Sequence, residues 1–381
     1  MEVTRSEAHP QIAEPPGEAG RFAGVYNVLQ SAIDSHAFPG CAFGVLTQGR
    51  VVLSDSLGSF TYENGAPSIQ PHTVFDIASL TKVVSTTAIA MRLFQSGLLD
   101  LEAPLGELLP GFVVGRNDTA LARRITLRNL LAHNSGLPGY VEFFRTATTP
   151  SALFRACLES TIGATPGERS EYSDPGFVLL GKALEVLTRE SLSDSGQKQI
   201  FEPLGMKATR FCPSVEQRPL IPPTEIDNTL RHHTIQGEVQ DENAWVLGGV
   251  AGHAGLFSNV PDLLRFAEAI LTSLNSHEVT GFFPLFTRET IQTFSERQLP
   301  GGTSRALGWD TPSKQSSAGH YFSPRSIGHL GYSGCSLWID LEARVAAVLL
   351  TNRTWPDRQA QAIRQVRPAF HDAVRQSLLS V

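Results

Sequence analysis

Apolar residues recur along this chain in two rhythms, and the rhythm changes with position. Phe22, Val25, Leu29, Ala32 and Ile33 fall on one helical face, and Pro39-Gly40 ends that helix. Cys41 to Thr47 and Val51 to Ser54 then read as two strands joined by a turn at Gln48-Gly49-Arg50. After Lys82 the residues Val83, Ala88, Ile89, Leu93 and Phe94 predict a long, mostly apolar helix that stops at Gly97. From about residue 98 to 290 helical patterns dominate. Thr126 is the expected N-cap of a short helix bearing Leu127, Leu130 and Leu131. Phe177, Leu180, Leu184 and Leu187 mark one face of another helix. Near the end the period-two texture returns. Ser336 to Asp340 and Val345 to Asn352 flank a turn at Leu341 to Arg344, which predicts an antiparallel hairpin, and a last helix runs from about Pro356 to Leu379.

Strands at both ends with helices between them imply an α/β (α+β) architecture. An antiparallel sheet is contributed by both termini and flanked by helices, and a helical region is inserted. The expected division is a disordered lead over 1–20, a sheet unit from 21–85 plus 295–381, and a mainly helical insertion over 86–294.

Composition narrows the classes. The chain has 381 residues and a net charge of -6, which offers no basic stripe for nucleic acid. No apolar run approaches the roughly 18 residues of a membrane span. The first twenty residues are polar, carry Pro10, Pro15 and Pro16, and lack the apolar stretch of an export signal, so a cytoplasmic location is expected. Prior removal of such a signal would instead allow a periplasmic or secreted protein. Cys41, Cys157, Cys212 and Cys335 are scattered and form no CxxC pair, so they are read as buried free thiols.

The chemistry centres on Ser79-Leu80-Thr81-Lys82. Residues three apart on a helix share a face, so hydroxyl and amine meet. A serine hydroxyl needs a neighbouring base, and a lysine desolvated by apolar surroundings, its pKa lowered toward neutrality, supplies one. Ser195-Gly196-Gln197-Lys198 has the same spacing but lies in a polar stretch, and is assigned to the surface. Further along stand Pro166-Gly167-Glu168 with Tyr172-Ser173-Asp174, and then His329-Leu330-Gly331-Tyr332-Ser333-Gly334.

This ordered trio resembles the Ser-x-x-Lys, Tyr-x-Asn and Lys-Thr-Gly elements of class C β-lactamases, penicillin-binding D-alanyl peptidases and their esterase relatives. Ile125 to Leu137 and Ile200 to Met206 are similar to family segments too, and the likeness runs from about Phe22 onward. It implies the β-lactamase/transpeptidase-like fold and a covalent serine mechanism without a cofactor. It also implies Ser79 as nucleophile, with Lys82 and Tyr172 sharing the proton transfers. The backbone N–H groups of Ser79 and Tyr332 would form the oxyanion hole, with Gly331 letting the edge strand approach the substrate.

Two departures bear on the substrate. Asp174 stands where the family commonly has asparagine, so an amide that donates and accepts becomes a group that, ionised, only accepts. It is expected either to lose its contact with an acyl amide or to hold Lys82 by a charged hydrogen bond. His329 and Leu330 replace the lysine and threonine of the third motif, removing a permanent cation and a hydroxyl. The leading expectation is therefore hydrolysis of a carboxylic ester or small amide. The alternatives are a penicillin-binding peptidase, a muropeptide amidase or a weak β-lactamase. More remote is an inert binding protein, whose signature would be loss of Ser79, Lys82 or Tyr172. The expected partner is a small ester, amide or β-lactam-like molecule.

Other signals are weaker. Gly176 to Ala183 nearly spells a phosphate-binding loop, but its spacer is apolar and it reads as a core helix. Asp241, Glu242 and His253, with His232 and His233 nearby, lack metal-motif spacing, and no metal site is assigned. Gly249, Gly252 and Gly255 suggest backbone packed close to a pocket wall, in a stretch similar to one found in muropeptide-directed amidases of the family. His133 is read as a hydrogen-bonded structural histidine.

Overall fold

The computed structural model describes residues 18–274 and 284–379. Of the expected disordered lead, residues 1–17 lie outside the described residues, and Glu18–Arg21 forms a single helical turn. The elements that position the cleft are, in order, α1 (Ala23–Asp34), β1 (Gly40–Thr47), β2 (Arg50–Gly58) and β3 (Phe75–Asp76). A one-turn 3-10 helix (Ala78–Leu80) and a π-helical turn (Lys82–Thr87) lead into α2 (Ala88–Gln95). Next come α3 (Leu127–Leu131), α4 (Asp174–Thr188), β4 (Arg210–Phe211), β5 (Leu256–Ser258) and α5 (Val260–Ser273). The chain closes with β6 (Ser326–Leu330), β7 (Ser336–Asp340), β8 (Val345–Thr351) and α6 (Ile363–Leu379).

The main sheet has the order β2-β1-β8-β7-β6, antiparallel throughout, so both ends of the chain meet at its centre. Ala42 faces Leu350 and Val348 faces Leu337. Strand alternation sorts its side chains into two cores. Phe43, Val45, Ala347 and Leu349 pack with Val25 and Leu29 of α1 and with Phe370 and Val374 of α6. Ala42, Leu46, Ala346, Val348 and Leu350 point the other way, into the core shared with α5 and the helical middle. Helix α5 lies within the span assigned to the insertion, yet packs on this sheet.

The middle also holds two small sheets, β3-β5-β4 and a hairpin of Glu225–Asp227 with His233–Ile235. Their strands are too short to show a period-two pattern. The last helix begins at Ile363 rather than Pro356. Before it, Asn352 donates to the carbonyls of Phe60 and Pro223, and Arg358 pairs with Glu225, so side-chain anchors hold the segment across the sheet end. The four cysteines are free. Cys41, Cys157 and Cys335 are buried as expected, but Cys212 is exposed because it sits in a left-handed turn outside the core. No described helix is long and apolar enough to cross a membrane.

Candidate active site

Ser79 rides on the 3-10 turn, half-buried, just after β3. The turn is fixed from beneath by Asp76, whose buried carboxylate accepts from the backbone N–H groups of Ala78 (2.8 Å) and Gln240 (2.7 Å). Burial pushes the Asp76 carboxyl up to about 6, although the two N–H groups oppose the shift. The Asp76 carbonyl accepts from the Ser333 hydroxyl at 2.7 Å, tying the nucleophile turn to the β6–β7 connection.

Lys82 is fully buried, and its ammonium has three acceptors for three N–H groups. These are Ser79 Oγ at 3.1 Å, Asp174 Oδ1 at 2.6 Å and the His253 carbonyl at 3.0 Å. Burial pulls the lysine pKa down, but the attraction of Asp174 and Tyr172 outweighs it and the net direction is up. The expected desolvated, near-neutral amine is thus corrected: the resting lysine is a saturated cation. Asp174 is delivered by the first turn of α4, whose N-cap Ser173 accepts from the Gly176 N–H.

Tyr172 precedes that cap and interacts through its hydroxyl with Ser79 and Lys82. Lys82 Nζ lies 4.8 Å from its ring centroid. Burial raises the phenol pKa despite the nearby ammonium, so it rests protonated. His133 stacks on Phe177, packs against the tilted Tyr172 ring and accepts the Ser173 N–H on Nδ1 at 3.0 Å. That bond fixes the neutral tautomer, and burial holds the imidazole well below its usual range.

On the opposite wall, β6 carries His329 and leads to Gly331 and Tyr332. His329 is buried, and its Nδ1 meets the Leu330 carbonyl at 2.9 Å, so Nδ1 carries the hydrogen. Desolvation, aided by Lys82 and Arg305, keeps this ring neutral. A Cβ on Gly331 would lie 2.5 Å from the Ile77 carbonyl. The crowding that demands glycine there comes from the nucleophile turn itself, not from the side where a substrate would lie. Neither the Ser79 nor the Tyr332 backbone N–H has a backbone partner among the described residues.

The structure therefore brings Ser79, Lys82, Tyr172, Asp174, His329, Gly331 and Tyr332 to one cleft. It leaves the second Ser-x-x-Lys match elsewhere. Lys198 is exposed and paired with Glu190, but Ser195 is buried against Thr188, which corrects its assignment to the surface. Gly176 to Ala183 lies within core helix α4. His253 Nε2 pairs with Asp241 at 2.9 Å and Glu242 binds Arg358, while His233 lies exposed on the small hairpin. What the sequence reading missed is the His253 carbonyl on Lys82. The signal was present in Gly252, where a Cβ would lie 2.0 Å from the Phe177 carbonyl and so keep the loop before β5 off α4.

The β-lactamase family is matched over residues 25–369. The N-acetylmuramyl-L-alanine amidase of Bacillus subtilis is 29% identical over 347 residues, covering 83% of this chain and 77% of the amidase. Among solved structures, EstCE1, a hydrolase with promiscuous acyltransferase activity, superposes with a TM-score of 0.73 at 22% identity, covering 94% of this chain and 99% of its own. The octameric penicillin-binding protein homologue from Pyrococcus abyssi gives a TM-score of 0.67 at 20% identity, over 89% of this chain and 76% of that one. These two likenesses are of fold. With the family matched across nearly the whole chain and its motif positions gathered in one cleft, the protein belongs to the β-lactamase family.

Proposed function

We propose that this β-lactamase-family hydrolase cleaves carboxylic esters or small amides through a covalent acyl-Ser79 intermediate. The observation that carries the reading is the Lys82 ammonium bridging Ser79 Oγ and Asp174 with Tyr172 alongside. Because all three N–H groups are spent, Lys82 accepts the serine proton only by passing one of its own to Asp174. Ser79 Oγ then bonds to the substrate carbonyl carbon, and the resulting oxyanion lies at the N–H groups of Ser79 and Tyr332. Tyr172 donates its proton to the departing oxygen or nitrogen and recovers one from the cluster. Water repeats the sequence to release the acid. Asp174 serves the proton path in this reading rather than the substrate, since Lys82 already occupies its Oδ1.

The 29% identity to the Bacillus amidase favours amides as the second reading. The four free cysteines support a reducing compartment as the place of action. The deciding experiment compares wild type with Ser79→Ala on short p-nitrophenyl esters, the matching anilides and a chromogenic cephalosporin. Fast ester turnover, slow anilide turnover and little cephalosporin turnover are expected, all lost in Ser79→Ala. Ester hydrolysis surviving that substitution sinks the assignment, and brisk cephalosporin turnover makes the β-lactamase reading primary.

A further inference from the structure

Ser79 lies on a boundary between cavities of opposite charge. On the side of β6, a cavity of about 390 Å³ is lined by Arg305, Arg353, Arg364 and Arg367 against one carboxylate, Asp310. A second cavity of about 350 Å³ continues it, sharing Leu330, Arg364 and Arg367 and adding Lys314 and His320. On the other side of Ser79, a cavity of about 420 Å³ is lined by Glu142, Asp174, Asp241 and Glu242 against one cation, Arg358. A chain with net charge -6 thus gathers five cations on one flank of its nucleophile.

These cations divide by task. Arg353 and Arg367 bind backbone carbonyls around Tyr332 and Gly334, which fixes positive charge beside the oxyanion position without a carboxylate to cancel it. Arg305, Arg364 and Lys314 make no ion pair or side-chain hydrogen bond among the described residues. Arg305 is half-buried with its guanidinium 5.1 Å from the Tyr172 ring centroid. A guanidinium left unpaired in such a place is poised for an anion.

An independent observation points into the same groove. His329 is 3% exposed and lines the first cavity, and its Nε2 has no hydrogen-bond partner. Since Nδ1 carries the hydrogen, Nε2 presents a lone pair and calls for a donor. An amide N–H close to the scissile group would answer that need, and carboxylates beyond it would meet Arg305, Arg364 and Lys314 along the groove.

We propose that the groove from Ser79 past Leu330 to Lys314 binds an anionic arm of the substrate, an acidic peptide being the chemical class that fits it. The acid-lined cavity opposite repels that arm, so the substrate enters in one orientation. This deepens the acyl-Ser79 reading and rests on it. It also departs from the loss of anion recognition expected from the third motif: the cation missing at His329 is supplied by residues from other segments.

The test uses ester series that differ in charge but not in shape. One arm of each ester carries a glutamine amide, a glutamine or a glutamate, giving no, one or two carboxylates. The leaving arm is tested as 3-acetoxybenzoyl conjugates and the acyl arm as glutaryl 4-nitrophenyl esters. On one of the two arms kcat/KM is expected to rise roughly tenfold from no carboxylate to two at low salt. The gain should shrink at 0.5 M salt. Arg364→Gln and Lys314→Gln, both at exposed positions, should flatten the rise. A profile that is flat or falling on both arms, in an enzyme that turns the esters over, overturns the anionic groove and leaves the hydrolase reading standing. No turnover of any ester, with Ser79 unlabelled by a fluorophosphonate, strikes the hydrolase reading instead. Calorimetry of the glutamate and glutamine-amide conjugates on Ser79→Ala then decides the groove by itself, equal binding counting against it.

Discussion

Replacing Asp174 by asparagine removes one oxygen's charge from the centre of the cleft and nearly nothing else. The pair it breaks is buried and short, with Nζ to Oδ1 at 2.6 Å and the lysine fully enclosed. At that separation an effective dielectric of ~20 gives a gross attraction of roughly 6 kcal/mol. An asparagine oxygen keeps a neutral hydrogen bond, so the net loss is about 3 kcal/mol, within the range for breaking a buried pair. Burial is the largest influence on Lys82 and pulls its pKa down, and in the variant nothing of comparable size opposes it. Wild type relays through Asp174 with Lys82 charged, so its kcat/KM on a p-nitrophenyl ester should be level from neutral pH upward until the lysine titrates. The variant, with no carboxylate to take the lysine's proton, should instead show kcat/KM rising with pH as Lys82 deprotonates. Stability should change sign in its pH dependence. In wild type the raised lysine pKa stabilises the fold fully below the ordinary value of 10.5 and is lost as pH rises through the folded value. In the variant the lysine prefers to be neutral, so its Tm should climb between pH 7 and 10, closing on wild type. A variant rate profile that parallels wild type, or a Tm gap independent of pH, would refute the view of Asp174 as the group that keeps Lys82 charged and takes its proton.

Two further outcomes follow from the geometry. Gly331→Ala places a Cβ 2.5 Å from the Ile77 carbonyl, two residues before the nucleophile. It should lower kcat/KM on the order of a hundredfold through misplacement of Ser79 while costing only about 1–3 kcal/mol of stability in urea titrations. Asp76, raised from 3.8 to about 6 chiefly by burial, binds a proton in the folded state before the unfolded one. Its carboxylate therefore costs stability above about pH 6, and the cost is relieved as pH falls toward 4. The stability of wild type relative to Asp76→Asn should rise by on the order of 1 kcal/mol between pH 7 and 5, and a constant difference would count against the burial argument.

The parts of this protein that a local pattern encodes could be read from the sequence. The helical face of α1, the hairpin β7–β8 and the apolar α4 depend on residues a few positions apart, and each is found where the pattern put it, within a turn or so at the ends. The meeting of Ser79 with Lys82 depends on one helical turn and was equally legible. The charge state of Lys82 was not. It is set by Asp174, ninety-two residues away in sequence, and by a backbone carbonyl at His253 that has no residue-type signature. Nor could spacing reveal the cationic groove, whose members come from the loop before β6, the connection after β8 and the first turn of α6. Ser195 shows the converse. A polar neighbourhood in sequence predicted a surface serine, but a helix and a π-turn place it inward against Thr188.

The two departures from the family motifs are best understood together, as one change in where the cleft keeps its charge. Asparagine to Asp174 adds a negative charge beside Lys82, and lysine to His329 removes a positive one from the facing strand. His329 lies close enough to Lys82 and Arg305 for both to oppose its protonation, and burial opposes it more strongly still. The centre of the site is consequently neutral at rest: an ammonium matched by a carboxylate, a phenol and two uncharged imidazoles. The fixed positive charge lies at the rim of this centre, on Arg305 beside Tyr172 and on Arg353 and Arg367 beside the oxyanion position. Arg364 and Lys314 stand further out still, where an anion can be held without touching Lys82. Affinity and proton transfer are thereby separated in space. A change at Arg364 should act mainly on KM and a change at Asp174 mainly on the pH dependence of kcat, a split that a single third-motif lysine serving both ends of the cleft would not allow.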